Sequence, residues 1–78
     1  MNKRILALNN GFVFIGDETH RDNTNIVLEN ASCIRRWGTE RGLGQIALTG
    51  PTKETVLDPC GTLTAPVHAE LFSLDCKA

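Results

Sequence analysis

The sequence predicts a small, mainly β fold, either a strongly bent antiparallel sheet or a small barrel of five to six short strands with one short helical turn. Three observations carry that expectation. Apolar residues recur mostly with a period of two, as in "GFVFIG" and "PVHAELFSLD", rather than at helical spacing. "NNG" joins the first two apolar runs, and Asn-Gly is a strong hairpin signal because its residues tolerate positive φ. Glycine, proline and short polar clusters then punctuate the chain at intervals too short for long helices. Of the two architectures the barrel is preferred, because closure hides strand edges.

Taken in order, "RILAL" and "GFVFIG" predict antiparallel strands near 3–8 and 11–17, with Ile5, Leu6, Leu8, Val13 and Ile15 in the core. "DETHRDNTN" is polar throughout and reads as an exposed turn. "NIVLENA" and "SCIRRW" read as two strands, or as one long strand bent near Asn30. In "TERGLGQIALTG", Leu43, Ile46 and Ala47 fall at helical spacing. Two glycines there each cost a helix about 1 kcal/mol, so the reading is a turn or two, stopped by Gly50-Pro51. "KETVLDP" predicts an edge strand, "DPCG" a turn, and "APVHAELFSLD" the last strand.

Bulk properties narrow the function. The 78 residues make one domain, 1–78, whose core is small; a chain of this size buries little more than about 60% of its unfolded surface. Self-association is the expected extra source of burial, so the chain reads as a homo-oligomer. Three cysteines cannot all pair within one chain and are too sparse for a disulfide scaffold, which points to reduced thiols and a cytoplasmic setting. A formal net charge of −1 argues against general nucleic-acid binding while allowing a local basic patch. No run is long and apolar enough for a bilayer, and "NNG" interrupts the one stretch that opens like a signal peptide.

One stretch, "CIRRWGTERGLGQIALTGPTKET", carries the candidate site. "GLGQIA" fits G-x-G-x-x-A, yet a dinucleotide fingerprint needs a βαβ unit that "RWGTER" and the short chain do not provide. "GPTKET" lacks the glycine before and the hydroxyl residue after its lysine that a phosphate loop requires. What remains is a glycine-permissive connector with unusual neighbours. Arg35, Arg36 and Trp37 lie side by side, and an indole beside a guanidinium can grip a flat or anionic group. Arg41 and Lys53 add cations, while Gly42 and Gly44 let backbone approach a ligand or a neighbouring subunit closely. The plain alternative is that Trp37 caps the core and the arginines pair with Asp22, Glu29 or Glu40.

Other chemistry is weaker. Cys33, Cys60, Cys76 and His68 could ligate zinc, but none falls in the close pairs that structural zinc favours, so no metal is expected. Cys60 or Cys76 with His68 is the one nucleophile–base pairing available, and no orienting group or oxyanion motif accompanies it. Neither enzyme activity nor a cofactor is expected.

Two resemblances add context. "GFVFIGDETHRDNTNIVLENA", residues 11–31, is similar to the first motif of Sm-like proteins, which are small bent barrels that form rings and bind RNA at the polar turn. The Asp22-to-Asn25 spacing is one residue shorter than in that motif, and the second motif has no counterpart. This likeness implies an SH3/Sm-like barrel. The chain as a whole resembles a group of short phage, prophage and mobile-element proteins through "GFVFIGD", "LENASCIRRWGTERGLGQIALTGPTKETVLDPCG" and "LFSLDC". That likeness implies an accessory role. The combined expectation is a non-catalytic binding protein whose partner is a small anionic ligand or a host protein. The alternative is an Sm-like ring that binds RNA or DNA.

Overall fold

The computed structural model describes residues 2–77. Five strands form one antiparallel sheet: β1 (Asn2–Leu8), β2 (Val13–Arg21), β3 (Asn25–Arg36), β4 (Val56–Pro66) and β5 (Glu70–Asp75). A two-turn helix, α1 (Leu43–Thr49), lies between β3 and β4, and a 3-10 turn, Val67–Ala69, between β4 and β5. The order across the sheet is β4-β3-β2-β1-β5, so the first four strands meander and the last returns beside the first.

The run Ile5 to Leu8 is buried without interruption because β1 lies in mid-sheet and is covered on both faces. Successive side chains alternate faces. Ile5 joins Ile15 and Ile34 under Leu43, Ile46 and Ala47 of α1, while Leu6 and Leu8 join Ile26, Leu28, Ala31 and Ala65 on the opposite face. Fully burying one such side chain contributes about 1.5–3 kcal/mol. Val13 is only partly buried, against the helix-side cluster.

Bulges bend the sheet. The β2–β3 and β3–β4 ladders each shift register more than once, and Asn30 (φ 52°) sits in the β3 irregularity between Leu28 and Ala31. An extra residue on one strand sharpens bend and twist. The predicted alternative of one long strand bent near Asn30 is therefore the observed one. The curl brings the β2–β3 hairpin tip to the start of β5. Val67 N–H donates to Thr24 C=O at 2.9 Å, and Arg21 grips both carboxylate oxygens of Glu70 at 2.9 Å although β1 separates their strands.

The sheet does not close into a barrel. Among the described residues β4 pairs only with β3 and β5 only with β1. At the corner between them the backbone groups have other partners: Val67 N–H goes to Thr24 and Ala69 C=O to Asn9. Pro66 has no N–H to donate. Of the two expected architectures the structure is thus the bent antiparallel sheet, with five strands and one short helix, and not the preferred barrel.

Three local expectations also change. Asp17–Arg21 is strand rather than turn, since cross-strand pairing with β3 holds it extended, and only Asp22–Thr24 reverses the chain. "DPCG" lies inside β4, where an edge strand tolerates Pro59 and Gly61 takes a left-handed φ of 81° at the register shift opposite Ala31. The predicted last strand is split by the 3-10 turn, which leaves Ala65 and Pro66 to β4. The β1–β2 turn does use its glycine: Gly11 has φ 95°, and Leu8 N–H donates to Phe12 C=O across the loop.

Seven residues cannot sustain a helix alone, so α1 depends on its buried stripe and its fastenings. Arg41 N–H donates to the Gln45 side-chain oxygen at 3.0 Å, Gly50 N–H closes the last turn on Ile46 C=O, and Lys77 N–H ties the tail to Ala47 C=O.

Candidate functional site

β3 delivers Arg35 and Arg36 to the end of the sheet, and the chain then turns through Trp37–Gly42 into α1. The glycines have distinct tasks. At Gly38 (φ 63°) an added Cβ would fall inside the Glu54 backbone, because the loops before and after α1 cross there in direct backbone contact. Hydroxyls lock the crossing: Thr52 Oγ1 donates to Gly38 C=O at 2.6 Å and Thr55 Oγ1 to Trp37 C=O at 2.7 Å. At Gly42 (φ 76°) a Cβ would stand 3.4 Å from Cζ3 of Trp37, so the indole lies over that glycine. Gly44 is ordinary helix with open space around it.

The indole is therefore held on one side and remains 45% exposed, which makes it neither a core cap nor a free side chain. The cations around it differ. Arg35 is engaged, its Nε 2.9 Å from Asp58 Oδ2 across the β3–β4 ladder. Arg36, Arg41 and Lys53 are exposed and take part in no ion pair among the described residues. The structure thus joins Trp37 to Gly42 and clamps Gly38 against the segment that carries Lys53. No guanidinium stacks on the indole among the described residues. The pairings expected of the arginines with Asp22, Glu29 or Glu40 do not form; Arg35 chooses Asp58.

The thiols are all free. Burial, reinforced by the Asp58 charge, pushes the Cys33 thiol above its ordinary value, and burial does the same to Cys76. Cys60 is exposed, its Sγ donating to Ala31 C=O at 3.4 Å. His68 hydrogen-bonds to neither Cys60 nor Cys76, and no three His, Cys, Asp or Glu side chains gather to hold a metal ion among the described residues. Among the described residues no helix is long and apolar enough to cross a membrane.

Two features escaped the sequence. One is a charge network in which Arg4 reaches Ser73 and Asp75, and Arg21 joins Glu18 to Glu70. The Arg21 hydrogen bonds hold the Glu70 carboxyl below the usual range and raise Arg21 itself. The other is a groove of about 330 Å³ between the C-terminal end of α1 and the sheet. Strand alternation alone could have suggested it, since Lys3 and Asp17 each sit two residues from a core isoleucine. Their meeting across β1 and β2 needed the register.

No protein-family model, curated protein or solved structure matches the chain.

Proposed function

We propose that this chain is a non-catalytic, homo-oligomeric binding protein that grips an anionic partner at the lip formed by Trp37 with Arg36, Arg41 and Lys53. The carrying observation is a half-exposed indole propped on Gly42, with three exposed cations in its segment that lack acidic partners. A propped aromatic face loses little side-chain entropy on binding, and unpaired cations supply the electrostatic attraction. A small anionic ligand and an acidic face of a host protein present the same chemistry. Arg35 contributes by holding β3 to β4 through Asp58. Gly44, in the first turn of α1, leaves open space beside its bare backbone.

Self-association fits the rest of the surface. Phe12, Leu71 and Phe72 are 57%, 64% and 46% exposed, and β5, which carries the latter two, has an unpaired outer edge among the described residues. The likeness to phage and mobile-element proteins suits an accessory role in the cytoplasm.

The test uses the sole tryptophan as its own reporter. Titration with adenosine monophosphate and with an acidic peptide should change Trp37 emission saturably for one of them, and Arg36→Ala should weaken that binding about tenfold without altering the circular dichroism. Unchanged affinity in Arg36→Ala removes the assignment. Titration with single-stranded RNA separates the alternative, a nucleic-acid-binding ring, because that mode predicts binding that falls steeply with salt. Native mass spectrometry in the same buffer reads the subunit number, and a monomer contradicts the oligomer.

A further inference from the structure

We infer that the groove beside α1 is a binding site for a small amphoteric molecule, one that carries an amino group and a carboxylate on a compact aliphatic body. Its floor is apolar: Ile15 from β2, Ile46 from α1 and Leu57 from β4. Its rim carries Lys3, Asp17, Asn30 and Ser32, brought together from three adjacent strands. Lys3 and Asp17 stand directly opposite each other in the β1–β2 register, yet neither takes part in an ion pair among the described residues. The side chains of Asn30 and Ser32 likewise make no protein hydrogen bond among the described residues. One cation, one anion, an amide and a hydroxyl therefore face the same space with their bonding capacity open.

Backbone geometry supports a built rim. Asn30 is the one described non-glycine residue with positive φ, a conformation that costs about 1 kcal/mol or more. The close approach of β2 to β3 beside it depends on Gly16, where a Cβ would meet Ala31 Cα at 3.0 Å and Glu29 C=O at 3.1 Å.

Size and charge select the ligand class. At about 330 Å³ the groove lies at the small end of ligand pockets, which suits a compact molecule. A plain carboxylate would pair with Lys3 and leave Asp17 unpaired, and a plain amine would pair with Asp17 and leave Lys3 unpaired. A zwitterion satisfies both charges, and its aliphatic body covers the isoleucine floor.

The test is nuclear magnetic resonance of the ¹⁵N-labelled full chain titrated with leucine, 4-methylpentanoate and 3-methylbutylamine, which share an aliphatic body and differ in charged groups. Leucine should give saturable shifts at the amides of Lys3, Asp17, Asn30 and Ser32, with affinity at least about tenfold above either singly charged analogue. Lys3→Met and Asp17→Asn should each weaken leucine about tenfold while preserving the spectrum elsewhere, since neither side chain is tied to the fold by an ion pair. Absence of saturable shifts at about 10 mM leucine, equal binding of an analogue, or shifts that map to the Trp37 loop would each overturn the proposal. The indole lip is read by Trp37 emission, so either site can fail without the other.

Discussion

Glycine substitution separates residues that carry geometry from residues that only permit it. Gly38→Ala places a Cβ in the Glu54 backbone at a left-handed φ, so it should destabilise the fold by about 2 kcal/mol or more. Gly44→Ala adds a Cβ in open space inside α1 and should stabilise by up to about 1 kcal/mol. Urea unfolding of the two variants checks both signs, and a neutral Gly38→Ala would show that the two loops can separate freely. Asp22 is a residue-scale device of another kind. Backbone N–H groups of Asn25 and Thr24, together with His20, hold its carboxyl at about 2 against an ordinary 3.8. A lowered carboxylate contributes stability that is fully present above the ordinary value and lost as pH falls through the folded one. Asp22→Ala should therefore lower the melting temperature at pH 7, and the gap from the parent chain should narrow between pH 4 and pH 2. A gap independent of pH would assign the effect to the turn backbone alone.

At the scale of elements, the β2–β3 tip is fastened to the start of β5 by the Arg21–Glu70 pair and by the Val67–Thr24 backbone bond. The pair is bidentate, and Glu70 is 18% exposed against 33% for Arg21. Its loss should cost about 1–2 kcal/mol, with solvent screening at the arginine keeping the value low. In Arg21→Ala the Val67 amide should exchange faster with solvent while β1 amides stay protected, and the Glu70 carboxyl should titrate at higher pH. Undiminished protection at Val67 would mean that packing of Val67 and Ala69 on the Leu6–Leu28 cluster holds the corner without the pair. The other fastened element is α1, whose short length makes Leu43, Ile46 and Ala47 its anchor. The groove beneath its end exists because those residues cover only part of the Ile5–Ile15–Ile34 face.

For the whole molecule, one bent sheet buries two separate apolar clusters, one on each face. The curl of the sheet covers one face of β1 and α1 covers the other, so a strand of seven residues serves two cores. The same bend leaves two outer edges, on β4 and β5, and places exposed Leu71 and Phe72 on the second of them. An open edge beside exposed apolar side chains is the surface on which the proposed self-association depends.

Local chemistry was legible in the residues themselves. Alternation marked the strands, Gly11 the first turn, Leu43, Ile46 and Ala47 the buried helix stripe, and Gly50-Pro51 its end, because each depends on neighbours within a few positions. The candidate lip was legible for the same reason, since Arg36, Trp37 and Gly42 are close in the chain. Residues whose state depends on distant partners were not. "DETHR" is polar enough for a turn but is held extended by β3, "DPCG" is turn chemistry absorbed into an edge strand, and whether the β4 and β5 edges meet is set by the bend of the whole sheet. The clasp of Arg21 on Glu70 and the meeting of Lys3, Asp17, Asn30 and Ser32 belong wholly to the tertiary structure. Register and bend decide which side chains share a face, and hydrogen bonds between segments distant in the chain set both.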